Sequence, residues 1–326
     1  MTTIKDIAKL SGYSPATVSR ILNQSGYASE KARKKVEEAI KQLDYISNQH
    51  AVSLKSGISK NLGIVTTMYT TPVSMLINAF ILIAEEYGYA VTLFNTNNDP
   101  DQEIKAYNML RNKQLDGIFT IYRTNEWDVL FHYEKYGPIV TLQRIEDPRV
   151  PSVYVDHYEM YKKSLDFLWA SGCRKIINVY GLKQGRNTQK RIQAYLDFCR
   201  EHDIPAHSSD LFIDCGSVED GKKIADWFAS QVEKPDAFLV QTDLIAAGLV
   251  YSLKKKGYRF PDDISIIGFD NLEMSELMEI TTVDYQINTQ GKNAFKLLYN
   301  RLQNDEKLAL EPLDIQIVQR KTTHTL

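Results

Sequence analysis

The sequence predicts a small all-α helix-turn-helix head followed by an α/β body of two Rossmann-like subdomains with parallel sheets. Three observations predict this fold class. Residues 1–43 contain three short amphipathic helix patterns. From Leu62 onward, short β-branched strand patterns alternate with helix patterns, which is typical of parallel sheets covered by helices. The alternation occurs in two successive series, which indicates two sheets.

The first two helices of the head are bounded by recognisable capping residues. Thr3 and Asp6 have the types and spacing of a helix N-cap pair. Gly12 follows the apolar positions of the first helix and can adopt the positive φ at which helices often end. Ser14 is expected to cap the second helix, because Pro15 stands at its first position, where a missing N–H costs nothing.

The second helix has one side of small or hydrogen-bonding residues, namely Ala16, Ser19, Arg20 and Asn23. Short side chains allow a helix to approach a DNA major groove, and an arginine can form two hydrogen bonds with guanine. This residue choice favours a recognition helix. An ordinary helical hairpin with a solvated polar face is the alternative.

A third helix, capped by Ser29 and ending near Leu43, completes the predicted head of residues 1–46. Residues 47–60 are polar and contain only a short helix pattern at about residues 49–54. So short a helix is unstable alone in water, and we expect it to form only when a partner such as a DNA duplex holds it. A flexible linker is the alternative.

The body is predicted to span residues 61–326. Its first series has strand patterns at residues 62–66, 90–94 and 116–121 and helix patterns at residues 74–87 and 101–112. Its second series has strand patterns near residues 152–155, 175–180, 211–213, 237–240 and 264–268. The predicted N-subdomain is about 61–156 plus 286–314, and the predicted C-subdomain is about 157–285 plus 315–326. Two such units place a ligand cleft at the carboxyl ends of their strands.

The helix pattern at residues 74–87 is apolar almost all round, with Met75, Leu76, Ile77, Phe80, Ile81, Leu82 and Ile83. A helix on a sheet buries one stripe, so the remaining apolar face needs another partner. We interpret that face as the subunit interface of a homodimer. Complete burial within one chain is the alternative.

Charge is distributed unevenly along the 326 residues. Residues 1–60 contain ten Lys or Arg and five Asp or Glu, a net charge of +5, which leaves −7 for the rest of a chain whose total is −2. A basic head on an acidic body suggests that only the head binds a polyanion. Three cysteines without CxxC spacing, no signal sequence and no apolar span together predict a cytoplasmic protein that does not enter a membrane.

Sequence motifs of catalysis are missing. The chain has no GxGxxG, no GxxxxGK[ST], no nucleophile elbow and no metal-binding cluster among its six His. We therefore predict no enzymatic activity, no catalytic residues, no cofactor and no metal site. An enzyme on a Rossmann-like fold with a DNA anchor is a distant alternative, while a plain solute-binding protein would lack the basic head.

The sequence resembles the LacI/GalR family of bacterial transcription regulators from end to end. The segments that carry the resemblance are IKDIAKLSGYSPATVSRILN at residues 4–23, the hinge at residues 45–54, NNDPDQE at 97–103, DGIF at 116–119, ASGCRKI at 170–176 and DDISIIGFDN at 262–271. The resemblance implies a helix-turn-helix head, a hinge helix and a periplasmic-binding-protein-like body that binds an effector and dimerises.

The resemblance also implies DNA contacts. Pro15 and Ala16 fall at base-reading positions with Arg20 beside them, and Leu54 falls where the family wedges a leucine into the minor groove. The hinge departs from the usual pattern at Ser47, where proline is common, and at Val52, where arginine is common. The full set of candidate DNA contacts is Thr3, Pro15, Ala16, Thr17, Ser19, Arg20, Asn23, Tyr45, Leu54 and Lys55.

In the body, Arg191 and Asp270 match the family's effector-binding arginine and aspartate. Such a pair suits vicinal hydroxyls, because each hydroxyl can donate to the carboxylate while it accepts from the arginine. A structural ion pair at a domain seam is the alternative. Gly216 stands where many members place an aromatic residue against the effector. The candidate effector contacts are Thr67, Asp156, Arg191, Thr242, Asp270 and Tyr285, with Tyr122 and Trp127 as further aromatic candidates.

The function that follows is a homodimeric, sequence-specific transcription regulator. We expect a repressor of a carbohydrate-utilisation operon that binds a pseudo-palindromic operator and is released by a sugar or sugar phosphate. A corepressor-dependent regulator that binds a nucleobase or phosphosugar is the alternative, and a phosphocarrier or other protein coregulator stays open as a further partner. Because no heptad helix precedes Leu326, a dimer rather than a tetramer is expected.

Overall fold

The structure, a computed structural model, describes residues 2–22, 27–45, 57–305 and 307–325. The chain forms two compact units, residues 1–59 and residues 60–326. The first unit is all-α and the second is α/β with mainly parallel sheets, so the predicted fold class is confirmed. The predicted hinge helix and the candidates Asn23, Leu54 and Lys55, as well as Ser47 and Val52, lie outside the described residues.

The head contains α1 (Ile4–Ser11), α2 (Pro15–Leu22) and α3 (Glu30–Gln42). The predicted caps are confirmed. The Thr3 N–H and hydroxyl both donate to the Asp6 carboxylate, at 2.8 Å and 2.7 Å. Gly12 ends α1 with a φ of 76°, and the Ser14 and Ser29 hydroxyl oxygens accept backbone N–H groups of the following helices. A small apolar core of Ile7, Ala8, Val18, Ile21, Ala32, Val36 and Ala39 holds the three helices together.

The first part of the body, which we call the N-lobe, follows the predicted βαβ order. Its elements are β1 (Asn61–Thr66), α4 (Thr71–Glu86), β2 (Ala90–Asn95), α5 (Pro100–Arg111), β3 (Gly117–Thr120), α6 (Trp127–Glu134) and β4 (Ile139–Thr141). The strands pair in parallel in the order β2-β1-β3-β4. Separate apolar clusters lie on the two faces of this sheet, which is the layered arrangement that βαβ units produce.

The second part, the C-lobe, repeats the pattern. Its elements are α7 (His157–Ala170), β5 (Ile176–Val179), α8 (Arg186–Glu201), β6 (Leu211–Phe212), α9 (Val218–Ser230), β7 (Ala237–Val240), α10 (Asp243–Lys255), β8 (Ser265–Phe269), α11 (Glu273–Leu277) and β9 (Thr281–Asp284). Helix α12 (Ile287–Gln303) then packs on α4 of the N-lobe, and β10 (Gln316–Val318) pairs antiparallel with β9. The chain therefore crosses between the lobes three times.

The strand predicted near residues 152–155 is wrong. Ser152 forms only an isolated bridge with Thr141, and the next residues form the first connection between the lobes. The N-lobe strand at this edge is β4, which has three buried residues and was missed because so short a run carries no periodic pattern. Among the described residues, no helix combines the length and apolarity needed to cross a bilayer.

Helix α4 has a different environment from the predicted one. It begins at Thr71, three residues early, with Pro72 in its first turn. Leu76 and Phe80 are only 3% and 0% exposed, because the sheet covers one side of α4 and α12 covers another. A Cβ built on Gly291 of α12 would lie 2.4 Å from the Leu76 carbonyl oxygen, so the two helices nearly touch. Leu76 and Phe80 therefore belong to the side of α4 that is buried within the chain and cannot lie in a subunit interface, whereas the interface itself stays a prediction for the exposed side that carries Leu82.

Candidate functional site

The outward side of α2 presents small residues and one cation. Pro15, Ala16 and Arg20 are exposed, whereas Thr17 and Ser19 are half-buried. Exposed Lys and Arg residues lie on the other two helices, including Lys5, Lys9, Lys31, Arg33, Lys34 and Lys35. Such a surface allows close approach to a polyanion and supplies charge to hold it.

Thr3 and Tyr45 also have local structural roles. Thr3 is exposed, but its hydroxyl donates to Asp6 as part of the helix cap. Tyr45 is half-buried against the core of the head, and its N–H donates to the Ile40 carbonyl at 3.0 Å. Packing and capping explain these two residues without a ligand.

In the body, the carboxyl ends of strands from both lobes meet. Tyr122 follows β3 of the N-lobe, and Asp270 follows β8 of the C-lobe. Burial raises the pKa of the Tyr122 hydroxyl, the charge of Asp270 adds to that rise, and the charge of Arg191 opposes it. One N-lobe residue thus lies within electrostatic range of both C-lobe candidates. We call this region the cleft.

Arg191 is almost completely buried, and its partners are uncharged. Its Nη2 donates to His157 Nδ1 at 2.9 Å, and its Nη1 donates to the Gln241 carbonyl at 3.2 Å. Its guanidinium lies over the Phe269 ring, with Cζ 4.2 Å from the ring centroid. Since an arginine can only donate, His157 is a neutral imidazole with its proton on Nε2.

Asp270 is buried and stands in an unusual backbone conformation, with a φ of 118°. Its Oδ1 accepts from the Tyr285 hydroxyl at 3.0 Å. Burial raises the pKa of the Asp270 carboxyl well above its ordinary value, the nearby Asp243 adds to the rise, and Arg191 and Tyr285 oppose it. The predicted alternative was a structural ion pair made by either residue, but the hydrogen-bond partners of Arg191 and Asp270 among the described residues are uncharged.

Three aromatic rings form the wall between these two groups. The rings of His157, Phe269 and Tyr285 contact one another, with centroids 5.3 to 5.5 Å apart. Tyr285 is therefore packed within the wall. Gly216 is exposed, and a Cβ built on it would meet no other atom within 4 Å. Trp127, the other aromatic candidate, packs against the Arg123 guanidinium at 4.2 Å.

Several buried polar atoms around the cleft have no hydrogen-bond partner among the described residues. They include Arg123 Nε, Thr124 Oγ1, Gln143 Oε1, Arg191 Nε and Asp270 Oδ2. A buried polar atom without a partner costs about 1–3 kcal/mol, so native proteins usually avoid this arrangement. These unpartnered donors and acceptors belong to both lobes.

The remaining candidates have other partners. Asp156 caps α7 by accepting the Tyr158 N–H at 2.9 Å, and its second oxygen lies 3.3 Å from Arg144 Nη1. The Thr242 hydroxyl caps α10, next to the Gln241 carbonyl that accepts from Arg191. Thr67 is buried directly after β1, at the carboxyl end of that strand.

Gln143, His157 and Phe269 were not among the residues predicted from the sequence. Phe269 could have been found, because it directly follows the strand predicted near residues 264–268 and precedes Asp270. Gln143 could not, since it follows β4, a strand that was not predicted. His157 belongs to a helix, and only the three-dimensional approach of α8 brings it to Arg191.

Two protein-family models match the chain. Residues 3–48 match the model described as bacterial regulatory proteins, lacI family. Residues 59–323 match the model described as periplasmic binding proteins and sugar binding domain of LacI family. The two matches together span both units of the structure.

Individual proteins match over most or all of the chain. The HTH-type transcriptional regulator YkvZ of Bacillus subtilis is 35% identical over 99% of this chain and 100% of its own. Catabolite control protein B of Bacillus subtilis is 31% identical, with 97% of each chain covered. Among solved structures, a Lac repressor dimer bound to operator and an anti-inducer aligns with a TM-score of 0.85 at 23% identity, covering 99% of both chains. A Lactobacillus casei LacI-family regulator with bound sucrose aligns with a TM-score of 0.73 at 25% identity, covering 81% of this chain and 99% of its own.

The buried imidazole of His157 gives the first testable prediction. Burial, and then the charge of Arg191, hold the pKa of His157 well below its usual value. Unfolding frees the imidazole to bind a proton near pH 6.5, so His157 makes the parent lose stability as the pH falls below that value. In His157→Asn, the amide oxygen can still accept from Arg191, but it does not titrate.

We expect the parent to lose about 1.4 kcal/mol of unfolding free energy relative to His157→Asn between pH 7.5 and pH 5.5. Urea unfolding of both proteins across this range measures the difference. The buried carboxyls Asp243 and Asp270 titrate in both proteins and therefore cancel. Parallel stability curves would contradict a neutral His157.

Proposed function

This chain belongs to the LacI family of bacterial regulatory proteins, and on that basis we propose that it is a homodimeric repressor of a carbohydrate-utilisation operon, released by a sugar or sugar phosphate. It is a DNA-binding transcription regulator, as its full-length relatives are. The observation that carries the effector part of the proposal is the set of unpartnered buried polar atoms from both lobes of the cleft.

The DNA-binding part rests on α2. Its exposed side has Pro15 and Ala16, which allow close approach, and Arg20, whose guanidinium can reach a base edge. Lys31 at the start of α3 supplies charge for the phosphate backbone. We therefore assign specificity to Arg20 and sequence-independent affinity to lysines such as Lys31.

The effector part rests on hydrogen-bonding capacity. Arg191 Nε needs an acceptor, while Gln143 Oε1 needs a donor, and Asp270 Oδ2 can take a donor or, when protonated, offer one. Hydroxyl groups supply both roles, which suits a carbohydrate. A ribose operon repressor of Halalkalibacterium halodurans is among the relatives, at 29% identity, and the Lactobacillus casei regulator binds sucrose. We infer binding, without catalysis, as the role of this cleft.

The coupling between effector and DNA would pass through the connections between the lobes. His157 immediately follows the first connection, and Tyr285 lies in the second, between β9 and α12. Arg191 is bonded to His157, and Asp270 is bonded to Tyr285. A ligand that engages Arg191 and Asp270 therefore acts directly on groups that set the angle between the lobes. Only a difference in affinity between two lobe arrangements can shift their populations.

We place the dimer surface on the outer part of the N-lobe, not on the buried side of α4. Leu82 of α4 is 55% exposed, and Leu93 of the edge strand β2 is 40% exposed. Leu93 shares a sheet face with Val91, which packs against the cluster that contains α4. Both leucines thus lie on the same side of the sheet, and Tyr69, just before α4, adds a third exposed apolar residue.

For the recognition helix, we expect Arg20→Ala to weaken binding to an operator selected from a random duplex library by about 1–3 kcal/mol and to relax preference at one base position. Lys31→Ala is the control and should weaken selected and random duplexes equally. Fluorescence anisotropy with both duplexes measures the two effects. Equal losses on both duplexes for Arg20→Ala would rule out base recognition by this residue.

For the effector, a panel of ribose, glucose, fructose, sucrose and glucose 6-phosphate is tested first, and the sugar that most raises the parent's unfolding temperature is chosen. We expect Asp270→Ala to lose about 1–3 kcal/mol of binding free energy for that sugar. The head is unchanged, so operator affinity without sugar should stay within a few-fold of the parent. Titration of sugar into the operator complex should release the parent and leave the variant bound. The exposed carboxylate Asp262 provides the control, as Asp262→Ala.

Normal release of Asp270→Ala would contradict the cleft assignment. Loss of operator binding without sugar would give the residue a structural role. A sugar that strengthened operator binding by the parent would instead support the corepressor-dependent alternative.

For the dimer, we expect Leu82→Asp to shift the full-length protein from dimer to monomer at micromolar concentration, because a charge would be buried without a partner. Leu196→Asp, at a residue of similar exposure on α8, should remain dimeric. Sedimentation velocity distinguishes the two states. Identical sedimentation of Leu82→Asp and the parent would place the interface elsewhere.

A further inference from the structure

Asp243 is a completely buried carboxylate beneath the cleft. It is the first residue of α10, and both of its oxygens are engaged. Oδ1 accepts from the Thr282 hydroxyl at 2.6 Å, and Oδ2 accepts from the Leu272 N–H at 2.8 Å. Asp243 therefore ties a helix terminus to strand β9 and to the segment that follows β8.

The tied segment, residues 270–272, has a strained backbone. Asp270 and Asn271 both have positive φ, at 118° and 52°. L-residues adopt this region rarely, and such conformations persist only where the surrounding structure holds them. The Asn271 N–H donates to Thr282 Oγ1 at 3.3 Å, so Thr282 links Asp243 to a second point of the same segment.

The backbone of β8 leaves space for the Asp243 carboxylate. A Cβ at Gly268 of β8 would lie 2.2 Å from Asp243 Oδ1, so only glycine allows the carboxylate to approach this strand. Arg320 supports the segment from the other side, because its Nη2 donates to Asn271 Oδ1 at 2.8 Å. These contacts converge on one short segment that carries Asp270.

We propose that Asp243 is a positioning residue of the effector cleft, which holds residues 270–272 in the conformation that presents Asp270 to the ligand. The inference rests on the proposed function in one respect, namely that Asp270 contacts the effector. Asp243 does not contact the ligand itself and acts only through Leu272 and Thr282.

The electrostatic setting argues against a purely structural role. Burial raises the pKa of Asp243 to about 6, while Thr282, Leu272, Ser275 and Arg320 oppose the rise. A raised pKa means that folding disfavours the charged form, so this carboxylate lowers stability progressively as the pH rises from about 4 to about 6, and the whole loss is present above pH 6. Asp270 is a second buried carboxyl nearby. A neutral side chain of the same shape would make the folded state at least as stable. The charge of Asp243 is therefore explained by its two accepted hydrogen bonds, which position residues 270–272.

The first experiment needs no ligand. Hydrogen exchange followed by mass spectrometry on the full-length protein compares the parent with Asp243→Asn and Asp243→Ala. We expect exchange in peptides covering residues 270–283 to become about tenfold faster in Asp243→Ala and to change less in Asp243→Asn, which keeps one acceptor.

The control for this experiment is Asp236→Asn. Asp236 lies just before β7, at the opposite end of that strand, where its Oδ2 accepts the Arg174 and Lys175 N–H groups at 2.7 Å and 2.8 Å. It is therefore a carboxylate of the same lobe that also holds two groups, and its loss should leave residues 270–283 unchanged. Unchanged exchange in Asp243→Ala would overturn the proposal.

The second experiment measures sugar affinity against stability. With the panel sugar that binds the parent, we expect Asp243→Asn to bind about tenfold more weakly at pH 7.5 without a lower unfolding temperature. The parent's affinity should fall as the pH drops through about 6, because protonation leaves one acceptor oxygen for two donors. The charge of Asp243 raises the pKa of Asp270, so Asp243→Asn also shifts the titration of Asp270, and the pH profile reports the coupled pair. The comparison of affinity with unfolding temperature at pH 7.5 therefore decides the role of Asp243.

The outcomes separate this inference from the proposed function. An affinity loss matched by a loss of unfolding temperature would make Asp243 structural and overturn the proposal. If no panel sugar binds the parent, the proposed effector class fails, while the exchange experiment still decides whether Asp243 positions the segment.

Discussion

The chain crosses three times between two mainly parallel sheets, and this constraint determines which residues line the cleft between the lobes. Each crossing leaves a lobe near the carboxyl ends of its strands, which is also where the side chains after β3, β4, β5 and β8 project. His157 and Tyr285 belong to two of these crossings, and each is hydrogen-bonded to a buried polar residue of the cleft. The topology therefore places the proposed ligand contacts directly beside the connections between the lobes.

The sequence predicted the order of elements well and the identity of their neighbours poorly. Capping residues such as Thr3, Gly12 and Ser29 act within a few residues of chain, so local chemistry was enough to place the head helices. The burial of α4 could not be predicted, because α12, which covers it, lies more than 200 residues later in the chain. The same limit applies to Arg191, whose partner His157 could be identified only once both helices were packed.

Buried polar groups in the cleft lower the stability of the folded body. Arg191 is charged and buried with uncharged partners, and burial holds the pKa values of Asp243 and Asp270 above their ordinary range. Natural proteins accept such costs where binding recovers them, since a ligand that completes the hydrogen bonds stabilises the folded state. The apolar clusters on both faces of each sheet supply the stability that this arrangement requires.

Strand β2 has a further consequence for the N-lobe. It lies at one edge of the sheet, and its residues are exposed or half-buried along its length. At the opposite edge, the bridge between Thr141 and Ser152 covers part of β4. An open strand edge offers a row of backbone N–H and C=O groups to any other extended chain, which is a common route to aggregation. With the proposed dimer surface beside this edge, a protomer without its partner would be exposed to misassembly as well as to loss of function, so dimerisation would also protect the chain from aggregation.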